Sequence, residues 1–148
     1  MTPIRISHID SEQDCLACFD VMRELRPHLA GAQAFAEQVG RQAGQGYRLL
    51  AAWQDEQITA LAGYRLQENL LYGRFLYIDD LVATARVRSQ GQGRDLMAAL
   101  RQEAMRRECA YLVLDTGLAN ALAQRFYFRR GLLSKGLHFT LSLQGDKS

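Results

Sequence analysis

The sequence predicts an α/β protein, with a mixed, mostly antiparallel sheet and helices on both of its faces. Two observations carry this reading. Stretches with apolar residues at helical spacing are interspersed with short alternating or apolar runs, in the order β, α, α, β, β, β, α, β, α, β. The three consecutive strands in the middle form an antiparallel meander, which makes the sheet mixed. A third observation sets the scale. The 148 residues suffice for one domain with a real core, and no linker, repeat or low-complexity segment divides residues 1–148.

Each element has its own signal. Ile4-Arg5-Ile6-Ser7-His8-Ile9 alternates and reads as a first strand. Asp10 or Ser11 can cap the helix that follows, with Gln13 or Asp14 closing a capping box, and residues 11–26 read as one helix with Cys15, Phe19 and Met22 inward. A second helix spans about 30–42 and ends in Ala43-Gly44-Gln45-Gly46. Residues 47–53 and 58–67 are strands around the polar turn Gln54-Asp55-Glu56-Gln57, and 75–83 is a further strand. A tight turn at 89–93 leads into a helix over 94–107 with Leu96, Met97, Leu100 and Ala104 inward. Residues 110–115 make the next strand and 119–130 a short helix. The alternating 137–143 make a final strand.

Composition narrows the functional classes. Hydrophobic residues make up 48% and charged residues 23%, as in ordinary globular proteins. The longest apolar stretches, such as 47–53, fall far short of the ~20 residues that span a bilayer. The N-terminus Met1-Thr2-Pro3-Ile4-Arg5 has no signal-peptide core, so the expectation is a cytoplasmic protein with no membrane partner. Cys15, Cys18 and Cys109 give no disulfide framework. Cys15 and Cys18 form a C-x-x-C without a second ligand pair, and His8, His28 and His138 are scattered, so no metal is expected. The net charge is +2, and all cations but Lys135 and Lys147 are arginine. No basic run is interleaved with aromatics, so no nucleic-acid partner is expected.

Two stretches carry chemistry. The first is Arg88-Ser89-Gln90-Gly91-Gln92-Gly93-Arg94, between a strand and a helix. Its glycines let the backbone turn sharply, and amides at a helix start form an anion site to which Arg88 and Arg94 can add charge. It is not a P-loop, since no Gly-Lys-Ser/Thr follows, nor a dinucleotide fingerprint, since the third glycine is missing. The second is the set Asn120, Ala123 and Tyr127, which share one helix face, with Leu122 and Phe126 on another face to supply the core contact. The bland reading of Tyr127 is a half-buried core tyrosine.

Taken together, Arg-x-x-Gly-x-Gly at 88–93, the strand end Val113-Leu114-Asp115-Thr116, then Asn120, Ala123, Phe126-Tyr127 and Gly131 resemble the GNAT superfamily of acyl-CoA N-acyltransferases. The element order matches along almost the whole chain. Tyr77-Ile78-Asp79-Asp80-Leu81 and Phe126-Tyr127-Phe128-Arg129-Arg130-Gly131 are similar, within that superfamily, to stretches of diamine and thialysine acetyltransferases. Departures are Ala83 in place of a larger β-branched residue, Asp79 in place of Glu, and Gly131-Leu132 in place of Gly-Phe or Gly-Ala.

The resemblance implies a sheet splayed open after the strand at 75–83 and acetyl-CoA as acyl donor. Leu81, Val82 and Ala83 would be the backbone edge for the pantetheine arm, and Arg88, Ser89, Gln90, Gly91, Gln92, Gly93 and Arg94 the pyrophosphate loop. Asn120 and Ala123 would contact the cofactor arm, and Tyr127 would protonate the departing thiolate. Asp79 would help deprotonate the amine. By strand alternation it is expected on the face opposite to Asp80, and Tyr77 and Asp80 would bind the substrate. The expected reaction is direct attack of a primary amine, a small cationic amine or amino acid favoured, in a ternary complex. The alternative is a non-catalytic acyl-CoA-binding module of the same fold. A homodimer formed through the final strand is a further expectation.

Overall fold

The computed structural model describes residues 3–88 and 90–145. It forms two compact units, Met1–Leu114 and Asp115–Ser148.

The first unit is built on a sheet of five strands in the order β1-β2-β3-β4-β5: β1 (Arg5–His8), β2 (Arg48–Gln54), β3 (Gln57–Asn69), β4 (Gly73–Ala83) and β5 (Tyr111–Leu114). The first four pair antiparallel and β5 lies parallel to β4, which is the mixed sheet expected. The polar turn between β2 and β3 places Asp55 and Glu56 at φ 51° and 67°, the left-handed pair that suits the twist of a two-residue hairpin.

Ser11 caps the first helix, its hydroxyl accepting from the Asp14 amide at 3.1 Å. Residues 11–26 do not form one continuous helix. The chain makes α1 (Glu12–Ala17) and α2 (Phe19–Leu25), separated at Cys18, whose N–H bonds the i−3 carbonyl of Cys15. That tightened turn keeps the apolar stripe nearly in line, and Pro27 ends the second piece. With α3 (Ala32–Ala43) these helices cover one face of the sheet. Cys15, Cys18, Phe19, Met22 and Phe35 are buried there against Tyr47, Leu49, Ala51 and Leu61. The C-x-x-C pair is thus core packing, and burial pushes both thiols up, away from the reactive thiolate form.

The alternate residues of β2 and β3 face α4 (Gln92–Arg106), which buries Leu96, Met97, Leu100 and Ala104 as the sequence pattern requires. Tyr64 crosses this layer. Its hydroxyl donates to Glu103 at 2.9 Å and meets His8 Nε2 at 2.8 Å. Burial alone would raise the Glu103 carboxyl, but the Arg106 guanidinium and the Tyr64 hydroxyl outweigh it and hold the group below its ordinary value.

Gly63 on β3 makes the closest approach in the sheet. A Cβ there would lie 1.8 Å from the Tyr47 hydroxyl oxygen and 2.4 Å from Cζ of the ring. Gly63→Ala must therefore displace a buried tyrosine and its bond to Asp80. The expected loss is about 1–3 kcal/mol of stability, the usual cost of overpacking. Urea or thermal unfolding measures it, and an unchanged midpoint would mean that Tyr47 swings aside freely.

In the second unit the expected helix is α5 (Ala121–Arg129), but the expected final strand is absent. Residues 137–143 alternate as a strand should, yet no ladder includes them. Alternation says which side of a strand is apolar, not that a neighbour exists to accept its backbone bonds. Leu122, expected in the core, is 78% exposed, and α5 buries none of its residues fully.

Candidate functional site

β4 is the element on which the candidate site is built. Its first half is paired on both sides: Phe75 to Ile78 lie against Tyr111 to Leu114 of β5 while bonded to β3. From Asp79 to Ala83 only the β3 side is paired, because β5 ends at Leu114. Thr84 N–H bonds Thr59 O at 2.9 Å, which fixes the parity of the ladder. Val82 and Asp80 direct their backbone groups at β3, whereas Leu81 and Ala83 turn theirs to the open edge. Of the three residues expected to form a backbone edge, Leu81 and Ala83 turn toward it, and the Ala83 carbonyl already accepts from Arg88 at 3.3 Å.

The opening coincides with a β-bulge. Gly63 pairs with Asp80 and Tyr64 with Ile78, leaving Asp79 as the extra residue of β4. This overturns the alternation argument for the two acids. A bulge places successive side chains toward the same side, and the partners confirm it. Arg65, two residues from Gly63 on β3 and so on the same face, holds the Asp79 carboxylate in a fork at 2.8 and 2.9 Å. On that face Tyr47 donates to Asp80 Oδ2 at 2.8 Å, and Arg26 donates to Asp80 Oδ1 at 3.0 Å and to the Asp79 carbonyl at 2.9 Å. Tyr77 lies beside this group, with the Arg65 guanidinium 5.8 Å from its ring centre. The hydrogen bond to Asp79, set against desolvation, raises the Arg65 pKa further.

Past Ala83 the chain makes a short 3-10 turn, Ala85–Val87, and enters α4 through Gly91. Gly91 has φ 86° and ψ 5°, the left-handed region, and no side chain caps the helix. The Gln90 amide is spent on Val87 O and the Asp95 amide on Gly91 O. By helix geometry the amides from Gly91 to Arg94 then have no intrahelical acceptor. An uncapped start carrying the positive end of a 15-residue helix is a place where negative charge is electrostatically favoured. Arg94 reaches over it, its Nη2 2.8 Å from where a Gly91 Cβ would stand. Arg88 bridges back to Ala83 O at 3.3 Å and Glu24 at 3.5 Å. Gln92 contributes its backbone alone. Its side chain is 1% exposed and meets Thr59 at the bulge of β3, tying the turn to the sheet. Ser89 lies outside the described residues.

In the second unit Asn120 is the N-cap of α5, its Oδ1 accepting from Ala123 N–H at 3.2 Å, so one of its polar atoms is already committed. Tyr127 is half-buried, and burial raises its phenol above the ordinary value. Among the described residues no cluster of His, Cys, Asp or Glu could hold a metal ion, and no helix is long and apolar enough to cross a membrane.

Sequence reasoning missed Arg26, Tyr47 and Arg65, which hold the two acids. Arg26 and Tyr47 are 54 and 33 residues from Asp80, with no local signal. Arg65 was within reach. The hairpin between β3 and β4 places it opposite Tyr77, two residues from Asp79.

Comparison with known proteins agrees with this architecture. The pattern of the acetyltransferase (GNAT) family matches residues 14–132. The uncharacterized N-acetyltransferase YhdJ of Bacillus subtilis (strain 168) is 28% identical over 124 residues, 84% of this chain and 87% of the relative. Among solved structures, AAC(6')-Iy in complex with the bisubstrate analog CoA-S-monomethyl-acetylneamine superposes with a TM-score of 0.82 at 14% identity, over 95% of this chain and 99% of that one. An integron cassette protein from the mobile metagenome of V. cholerae superposes with 0.81 at 23% identity, over 98% and 95%.

Proposed function

As the chain belongs to the acetyltransferase (GNAT) family, we propose that it moves an acetyl group from acetyl-CoA to a primary amine by direct attack in a ternary complex. One observation supports this above the others: the opened half of β4 runs into a helix whose first amides carry no cap. The open edge offers Leu81 and Ala83 to an amide-bearing arm, and the bare helix start offers Gly91 to Arg94 to a pyrophosphate. The CoA analogue bound by the solved relative supports the same donor. Bound acetyl-CoA would supply the activated thioester. Asn120 and Ala123 would line its arm, and Tyr127 holds the proton we assign to the departing thiol.

The acceptor reading follows from the arginines. Asp79 and Asp80 are each paired, so the two acids bring no surplus negative charge beyond Arg65 and Arg26. Within the class of small amines the charge-balanced pairs rank neither a small cationic amine nor an amino acid first, and both stay in the proposal. An amine panel with acetyl-CoA, read as free thiol released, tests it. Release of thiol with a member of either class is the expected result. Binding of acetyl-CoA with no thiol from any amine would favour the non-catalytic acyl-CoA-binding module.

Asp79 remains our assignment for the base, acting through water, because an ammonium must lose its proton before it can attack. Asp79→Asn is expected to slow turnover at neutral pH on the order of a hundredfold. Recovery is expected as the pH rises toward that of the free amine. A pH–rate profile that overlays the native one would place the base elsewhere.

The family match runs from one compact unit into the other, which supports reading residues 1–148 as a single domain. The free cysteines fit a reducing, cytoplasmic location. We further read the protein as a homodimer, the exposed alternating segment near the C-terminus being its support.

A further inference from the structure

Asp79 is the extra residue of the β4 bulge and has no residue of β3 opposite it. The ladder alone does not fix it, so the aim of its carboxylate depends on what else grips the bulge. Two arginines do so from different directions. Arg65 takes the side chain, its Nη2 and Nε 2.8 and 2.9 Å from the two carboxylate oxygens. Arg26 takes the main chain, its Nη2 donating to the Asp79 carbonyl at 2.9 Å.

Arg26 is itself held at both ends. It is the C-cap of α2, at φ −121° and ψ 73°, and the following Pro27 disfavours the helical conformation at that residue. Its amide bonds Met22 O at 2.9 Å and its carbonyl accepts from the Leu29 amide at 3.1 Å. At the far end Nε donates to Asp80 Oδ1 at 3.0 Å. Asp80 Oδ2 accepts from the buried Tyr47 hydroxyl at 2.8 Å. Burial first, and then the Asp80 carboxylate, push the Tyr47 phenol up, so its hydroxyl keeps the proton it donates. The Asp80 side chain is 15% exposed, with both of its oxygens engaged. One planar guanidinium thus spans a carboxylate and a carbonyl of consecutive residues. It ties α2, and through Asp80 the residue just before β2, to the irregular point of β4.

We propose that Arg26 is a positioning residue for acetyl transfer: it fixes the bulge at Asp79 and Asp80, and so sets the direction in which the Asp79 carboxylate meets the proton of the acceptor. The proposal rests on the assignment of Asp79 as the base. Arg26 acts through Asp79, and Asp80 serves as its anchor. A base must lie within hydrogen-bond reach of the proton it takes, directly or through one water. A misplacement of about 1 Å can cost on the order of a hundredfold in rate.

A double-mutant cycle tests this. Arg26→Met keeps the apolar stem and removes every donor. Its kcat is expected to fall roughly ten- to hundredfold, with acetyl-CoA affinity by calorimetry within a few-fold of native. Arg26→Lys keeps the charge and loses the fork, so its kcat is expected to stay in the same low range. It also carries the test if Arg26→Met does not fold. Each substitution is then combined with Asp79→Asn. With no base left to position, the combined variant is expected to turn over within about twofold of Asp79→Asn alone. Losses that multiply, or a native rate in either single Arg26 variant, would overturn the proposal, while a slowed Asp79→Asn would leave the base assignment standing. An Asp79→Asn variant with the native pH–rate profile would overturn both.

Discussion

Gly91→Val is expected to abolish measurable acetyl-CoA binding while the domain still folds. Gly91 occupies the N-cap of α4 at φ 86°, where an ordinary N-cap residue is extended. A left-handed residue at a helix start is the backbone form in which successive amides make an anion-binding concavity, and we assign the phosphates to those of Gly91 to Arg94. A β-branched side chain is a true outlier in that region, at a cost of about 1–2 kcal/mol or more, so the turn would relax to another conformation. The clash itself is minor, because the nearest atom is the mobile end of Arg94. The loss is in the amides. Each hydrogen bond to a charged group is worth about 1.5–3 kcal/mol. Two lost bonds would then weaken binding by roughly 10²–10⁴-fold. Calorimetry checks the affinity, and a preserved unfolding transition checks the fold. An unchanged affinity would mean that the phosphates sit elsewhere.

The glycine turn into α4 was legible in the sequence because the chemistry there is local, although the helix begins at Gln92, two residues before the expected start. Glycine spacing, a helix start and two arginines lie within seven residues. The same holds for the apolar stripe of α4 and the Ser11 cap. What could not be read depends on partners distant in the chain. The alternation rule fails at Asp79 because the bulge depends on how β3 registers against β4, and no residue of β4 announces it. Arg26 comes to Asp80 from the end of α2, 54 residues away, so two acids that look available in the sequence are occupied in the fold. Residues 137–143 show the converse. They alternate as a strand does, but no ladder includes them, because alternation fixes only the faces of a strand and supplies no neighbour. The Asn120 cap on α5 adds a further lesson. A side chain read as a ligand contact is the N-cap of its own helix, its Oδ1 accepting from the Ala123 amide.

Tyr127→Phe is expected to lower kcat by roughly 10²–10⁴-fold, the usual contribution of a positioned acid or base. Acetyl-CoA affinity should stay within a few-fold of native. Only Oη is removed, so the half-buried ring keeps its packing and the change isolates one proton. A group that acts only as the thiol departs stabilises the transition state and not the bound donor, so kcat and kcat/KM should fall together. The direction of its pKa fixes the pH behaviour. Burial raises the phenol above its ordinary value near 10. The acid form is therefore complete at neutral pH and is lost only as the pH climbs through that raised value. Native turnover should show no descending limb from this group below about pH 10. If a limb does appear above it, Tyr127→Phe should remove it. An effect confined to KM would reduce the hydroxyl to a binding contact and leave the departing thiol to take its proton from water.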